Sequence, residues 1–349
     1  MQTVTVATPG KTYPVHIGTD LLARLCELPG VPITKAAMLV TDSNVDVLYA
    51  EQVLQTLNDA GIRAKKFVFT AGEGSKNLSV LGELLEALAA AQLTRVDAVF
   101  ALGGGVTGDL AGFAAASYLR GVRFVQLPTT LLAAVDSSVG GKTGVNLGAG
   151  KNLAGAFWQP EAVVCDTATT ATLPAERLAD GLAEMLKHGM IADAELFAAL
   201  CRAKTLAEIA ALIPRNVEIK AAVVGEDERE SGKRALLNFG HTIAHAIETR
   251  SEYAITHGHA VALGMLAVTR AAERHGLCEP CADILQNALK NHKLPTLCPY
   301  PPEELLPHLL SDKKRGADGI TLVIPKRVGE CVLHKMPLAD LPRFFGACL

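Results

Sequence analysis

Four of the ten histidines in this chain fall between positions 241 and 259. His241 and His245 stand four apart, on one face of a helical pattern, and His257 and His259 follow. Glu184 and Lys187 sit one turn apart on an earlier helical segment. A catalytic zinc site needs about three protein ligands and an open position, and one glutamate with two histidines would serve. A helical histidine is more often structural, and that alternative stands beside the metal. Thr242 follows His241, so the H-E-x-x-H pattern of zinc proteases is absent. The eight cysteines are scattered, as expected of free thiols in a reducing cytoplasm. Cys278-Glu279-Pro280-Cys281 is a lone C-x-x-C. A zinc knuckle would want a second pair nearby and only Cys298 follows, so ordinary thiols beside a loop are expected there.

Glycine supplies a second kind of chemistry. Gly103, Gly105 and Gly108 satisfy G-x-G-x-x-G after an apolar strand and before a helix, where backbone can approach a phosphate at the helix N-terminus. The motif lies far from the first strand and lacks an acidic residue at the usual offset. It is therefore a phosphate or dinucleotide loop of a non-standard kind, or a plain tight turn. Asp42, in Thr41-Asp42-Ser43-Asn44, could hold a ribose hydroxyl pair or cap a helix. Gly72-Glu73-Gly74-Ser75-Lys76 opens another helix, with Ser75 the expected N-cap. The stretch from Leu127-Pro-Thr129-Thr130 through Asp136 to Lys142, Lys151 and Asn152 joins flexible glycine-rich backbone to lysine, a cradle for anionic oxygens. A Walker A loop would need glycine at 136, where this chain has Asp.

These groups need elements to hold them. Apolar runs at Ala37–Thr41, Lys66–Phe69, Ala98–Leu102, Phe124–Leu127 and Ala162–Cys165 read as strands. They alternate with helical patterns such as Ser75–Gln92 and Asp109–Tyr118, the signature of a parallel sheet covered by helices. Beyond Leu173-Pro174 the pattern becomes helical: Leu178–Met190, Glu195–Cys201, Leu206–Val224, Ala235–Thr249 and His259–His275. One hairpin, Gly319–Pro325 with Gly329–His334, interrupts it. The expected architecture is an α/β domain over 1–175 and a helical domain over 176–349. The chain has 349 residues, 49% of them hydrophobic, enough for sizeable cores. A net charge of −3 without like-charge blocks gives no support to a nucleic-acid or membrane-surface role. Neither a signal peptide nor a membrane-spanning run is read, so a cytoplasmic location is expected.

In combination the motifs are specific. DSSVGGKTGVN at 136–146, GKN at 150–152, LADGLAEMLKHG at 178–189 and RALLNFGHTIAHAIE at 234–248 resemble 3-dehydroquinate synthases, as do GGGVTGD at 103–109, YLRGV at 118–122 and LPTT at 127–130. The resemblance runs from about Tyr13 to about Leu333. It implies a Rossmann-like NAD-binding domain followed by a metal-binding helical domain. It implies that Glu184, His241 and His257 hold a divalent metal, zinc or cobalt. The NAD site would comprise Asp42, Glu73, Lys76, Gly105, Val106, Thr107, Gly108, Asp109, Thr129, Thr130, Asp136, Lys142, Lys151 and Thr169, Thr170, Ala171, Thr172. Lys142, Lys151, Asn152, Lys187, Lys220, Arg234, Asn238, His245 and Lys314 (or Lys313) would face a sugar phosphate. Arg120 would reach a substrate phosphate across a homodimer interface. The implied reaction oxidises a heptulosonate phosphate transiently with NAD, eliminates phosphate, returns the hydride, opens the pyranose and closes a carbocycle by an aldol step. Another sugar phosphate cyclase, or a metal-dependent polyol dehydrogenase, is the alternative. Where the family usually reads HGEA, this chain has His257-Gly-His259-Ala, which either alters the setting of His257 or offers a rival ligand.

Overall fold

The computed structural model describes residues 1–230, 232–310, 315–316 and 319–348; Lys313 and Lys314 lie outside the described residues. The chain divides into two compact units, Met1–Leu173 with Lys220–Arg229 and Pro174–Ile219 with Glu230–Leu349. No described helix is long and apolar enough to cross a membrane.

The first unit is built on seven strands: β1 (Gln2–Ala7), β2 (Thr12–Gly18), β3 (Ala36–Asp42), β4 (Arg63–Phe69), β5 (Ala98–Gly103), β6 (Arg123–Pro128) and β9 (Ala162–Asp166), in the order β1-β2-β9-β6-β5-β3-β4. Only β1 is antiparallel to its neighbour. The central strands are apolar on both faces because helices cover both. Leu39, Phe100, Val125 and Val164 face one core with Val53 and Leu57 of α2 (Glu51–Asp59), which follows the single turn α1 (Ser43–Val45). Met38, Val40, Val99 and Phe124 face the other, with Leu84 and Leu88 of α3 (Leu78–Ala90) and Leu110 and Ala114 of α4 (Gly105–Ser117). Each such side chain contributes roughly 1.5–3 kcal/mol on burial. Because the strands are parallel, their carboxyl ends share one edge, and Asp42 and Gly103 close strands there.

Several sequence expectations need correction in this unit. The first eighteen residues, given no element from sequence, form β1 and β2 through period-two alternation. The segment read as a flexible glycine-rich cradle is a two-stranded ribbon, β7 (Lys142–Leu147) with β8 (Gly150–Phe157). Its apolar alternation, with Val145 in the core, is masked by glycines. Asn77, not Ser75, caps α3 by accepting from Val80 N–H at 3.0 Å, while Ser75 Oγ donates to the Thr70 carbonyl.

The second unit is mainly helical: α5 (Ala175–Ala192), α6 (Ala194–Arg202), α7 (Leu206–Ala210), the first residues of α8 (Ile213–Glu226), α9 (His241–Arg250), α10 (His257–Arg274), α11 (Ala282–Asn291), α12 (Pro302–Leu310) and α13 (Leu341–Phe345). The anticipated hairpin is present as β11 (Gly319–Arg327) and β12 (Glu330–Met336), with β10 (Arg315–Gly316) beside it. The helix expected over Leu206–Val224 is broken after Ala210. A capping box at Thr205 and Glu208 starts the first piece, and Pro214 fits the first turn of the second. The helix expected over Ala235–Thr249 is likewise two pieces, a tight turn at Lys233–Asn238 and then α9.

Gly240 causes that second break. Its φ of +80° is left-handed, and a Cβ there would lie 2.7 Å from the Met265 nitrogen. Across the same crossing, a Cβ on Gly264 would lie 2.1 Å from the Gly240 carbonyl oxygen, and one on Gly258 would lie 2.3 Å from Asp180 Cα. Thus α10 meets α9 and α5 backbone to backbone. Gly258→Ala or Gly264→Ala is expected to lower stability by about 1–3 kcal/mol or more, the cost of overpacking. Gly82→Ala, in α3 with open space around it, is expected to raise stability by about 0.4–1 kcal/mol. Denaturant midpoints of the three variants check both signs.

Candidate functional site

In the second unit, three helices deliver three donors to one point. Glu184 comes from the fully buried middle of α5, His241 from the first residue of α9 and His257 from the first residue of α10. Glu184 Oε1 lies 3.9 Å from His241 Nε2 and 3.7 Å from His257 Nε2, and donor atoms of the three residues all fall within 4.8 Å of one another. Ligands around a tetrahedral zinc are roughly 3.3 Å apart, so only a small closure is needed.

The other atom of each group is tied down. His241 Nδ1 faces the Phe239 carbonyl at 3.2 Å; a carbonyl only accepts, so Nδ1 carries the hydrogen and neutral Nε2 carries the lone pair. His257 Nδ1 faces the Glu248 carboxylate at 3.5 Å with the same consequence. Burial works against a charge on His257, but the hydrogen bond and charge of Glu248 outweigh it and raise its pKa. Glu184 Oε2 accepts from Lys187, one turn on and equally buried. The donor set therefore fits a divalent ion: one carboxylate and two oriented imidazoles. Glu248 escaped the sequence analysis, although it falls seven residues after His241 and so on the same helix face.

The remaining described residues predicted in this unit lie on α5, α9 and α10 or in the Lys233–Asn238 turn before α9. The His245 ring stands edge-on to His241, with centroids 5.8 Å apart. Asn238 donates to Glu230 Oε1 at 2.5 Å, and Arg234 is buried in the turn before α9. His259 turns away from the cluster: its Nδ1 lies 3.2 Å from Asp180 Oδ1 and 2.8 Å from Thr256 Oγ1. It is neither a fourth donor nor a partner of His257 among the described contacts.

The first unit gathers a second polar group at the carboxyl edge of its sheet. Lys76 Nζ donates to Asp109 at 2.5 Å and to Asn152 Oδ1 at 2.6 Å. Asn146, which closes the 136–146 motif and was given no role from sequence, donates to Glu73 Oε1 at 2.8 Å and accepts from Asn152 N–H at 2.9 Å. Burial raises the Asp109 pKa, and Lys76 offsets this only in part. Asp42 Oδ1 caps the turn at Asn44 and Val45, so the capping role is real, while Oδ2 accepts from Thr107 at 3.3 Å. Gly105, Val106, Thr107 and Gly108 form the first turn of α4, directly after β5. Thr129 N–H donates to the Gly103 carbonyl at 2.9 Å, and Thr130 Oγ1 accepts from Ala133 N–H. Lys220 pairs with both the carboxylate and the carbonyl of Asp136. Thr169, Thr170, Ala171 and Thr172 form a tight helical turn, tied to Tyr49 through Thr172 at 2.6 Å. Lys142 and Lys151 stand on the β7–β8 ribbon. Arg120 is exposed in a turn where Leu119 and Arg120 are both left-handed.

Residues 66–180 match the family model described as 3-dehydroquinate synthase N-terminal, and residues 181–315 match 3-dehydroquinate synthase C-terminal. The 3-dehydroquinate synthase of Symbiobacterium thermophilum is 46% identical over 333 residues, covering 92% of this chain and 93% of that protein. Among solved structures, 2-deoxy-scyllo-inosose synthase complexed with carbaglucose-6-phosphate, NAD+ and Co2+ matches with a TM-score of 0.88 at 25% identity, over 99% of this chain and 100% of that one. The 2-epi-5-epi-valiolone synthase of Streptomyces hygroscopicus subsp. jinggangensis 5008, with NAD+ and Zn2+ bound, matches at 0.85 and 27% identity, over 95% of each chain.

Glu248→Gln keeps the shape but removes the charge behind His257, and is expected to weaken zinc binding roughly 10- to 100-fold in a competition titration. Asp180 gives a pH prediction. Burial alone would raise its pKa, but hydrogen bonds from His259 and Thr256 and the Arg177 charge hold it below the ordinary carboxylate value. Its stabilising contribution is therefore present above the unfolded-state pKa of about 3.9 and is lost as pH falls through the lower folded value. Unfolding free energy measured against pH should show a flatter acid limb in Asp180→Asn.

Proposed function

The chain belongs to the 3-dehydroquinate synthase family, and on that premise we propose that it converts 3-deoxy-D-arabino-heptulosonate 7-phosphate into 3-dehydroquinate and phosphate. The observation that carries this is the convergence of Glu184 Oε1, His241 Nε2 and His257 Nε2, with both imidazoles locked by their other nitrogen. Glu184, His241 and His257 would hold a divalent metal, zinc or cobalt. The α4 turn Gly105–Asp109, with Asp42, Glu73, Lys76, Thr129, Thr130, Asp136, Lys142, Lys151 and Thr169–Thr172, would hold NAD+. When bound, the metal supplies Lewis-acid polarisation of a hydroxyl oxygen and the nicotinamide a reversible hydride acceptor.

The protein's own residues do the rest. The α4 N-terminus presents backbone N–H groups to a pyrophosphate. Lys187 balances the buried Glu184 charge, so that the carboxylate stays ionised for the metal. Lys142, Asn152, Lys220, Arg234 and Asn238 bind the carboxylate, phosphate and hydroxyl oxygens of the sugar, a concentration of donors that a protein of net charge −3 must make locally. His245 moves a proton at a substrate hydroxyl. Arg120 is exposed on a left-handed turn, and in a homodimer it would serve the partner's substrate. The location is cytoplasmic, consistent with the scattered free thiols.

Supplied with the heptulosonate phosphate, NAD+ and zinc, the protein should release inorganic phosphate with no net NADH. NADH accumulating with turnover would assign a polyol dehydrogenase instead, and no phosphate would point to a different cyclase substrate. Lys142→Ala should lower kcat/KM by roughly 10- to 100-fold, the worth of a hydrogen bond to a charged group of about 1.5–3 kcal/mol; unchanged turnover would remove Lys142 from the substrate set.

A further inference from the structure

The turn joining α10 to α11 gathers three further donors. The sequence offers Cys278 and Cys281 as an isolated pair. The fold adds Glu273 from the last turn of α10, and a carboxylate oxygen and both sulfurs lie within 4.8 Å of one another. Glu273 is held there because Oε1 accepts from the N–H groups of Cys281 at 2.5 Å and Ala282 at 2.6 Å. The loop is pinned from the other side, where Glu279 N–H donates to the Lys326 carbonyl of β11 at 2.8 Å. The neighbouring strand β12 brings a third thiol, the buried Cys331, which donates to the Met190 carbonyl at 3.6 Å.

We propose that Glu273, Cys278 and Cys281 form a second divalent-metal site, of the zinc class, with Cys331 or a water completing the coordination. Sulfur ligands select zinc over magnesium or calcium. Thiolates about 2.3 Å from zinc are roughly 3.8 Å apart, inside the spacing already present. All three groups become negative when ionised, so without a cation each disfavours ionisation of the others. A cation reverses that balance by displacing the two thiol protons to solvent. The site shares no residue with the Glu184 cluster. The two lie at opposite ends of α10, about 24 Å apart along the helix at 1.5 Å per residue from 257 to 273. Its role is structural, clipping the ends of α10 and α11 together beside the β11–β12 hairpin.

Cobalt distinguishes the two centres, because only the second contains sulfur. The full chain, reduced and reconstituted with Co2+, should show a near-ultraviolet thiolate-to-cobalt charge-transfer band and bind two equivalents. Cys278→Ser/Cys281→Ser should lose the band and one equivalent, and His241→Ala should keep the band while losing the other equivalent. Absence of the band in the reduced wild-type protein, or its survival in the double serine variant, would overturn the proposal. The wild-type spectrum stands even if a variant does not fold, and a wild-type protein that shows the band but binds only that one equivalent would count against the proposed activity and not against this site.

Discussion

Backbone-to-backbone contact among α5, α9 and α10 governs the second unit. Gly258 against Asp180, and Gly264 against Gly240, leave no room for a methyl group. Side chains at the start of α9 and α10 therefore meet the middle of α5 at ligand distance. With larger residues at those crossings the helices would stand apart by the width of a side chain, and Glu184, His241 and His257 could not share one ion. Interiors pack densely enough that such a displacement cannot be absorbed locally. Glu184 is wholly buried, which would be costly for a carboxylate alone; the Lys187 ammonium, equally buried, compensates it.

The first unit solves a different problem with parallel strands. Its central strands are covered on both faces, and a connected polar group collects at the strand ends. There Lys76, Asp109, Asn146, Asn152 and Glu73 hold one another in a connected set. Such a network rigidifies a loop region that glycine would otherwise leave loose. Asp42 ties the strand end to α4, since one carboxylate oxygen caps the turn at Asn44 and Val45 and the other accepts from Thr107.

Much of this was legible in the sequence because it is written in local periods. Doubly buried strands read as continuous apolar runs, and His241 with His245 announced a helix face. What sequence hid was set by tertiary contact. Gly240 interrupts a helical pattern only because α10 passes behind it. Glu248 matters only through its position behind His257, from a different helix. The β7–β8 ribbon looked like a loop because glycines dilute its alternation, and β1 and β2 carried no flanking pattern to mark them. The C-x-x-C looked bare because its third donor lies upstream on α10 and the nearby Cys331 comes from a distant hairpin. His259 stood beside a proposed ligand in sequence, yet its ring belongs to Asp180 and Thr256.

The central claim is that three helix-borne donors hold one cation. Anomalous diffraction from a zinc-loaded crystal, collected on either side of the zinc edge, tests it directly. The account predicts a peak bonded at about 2.0–2.2 Å to a Glu184 oxygen, His241 Nε2 and His257 Nε2. Zinc located elsewhere, with these three donors facing only one another, would contradict it.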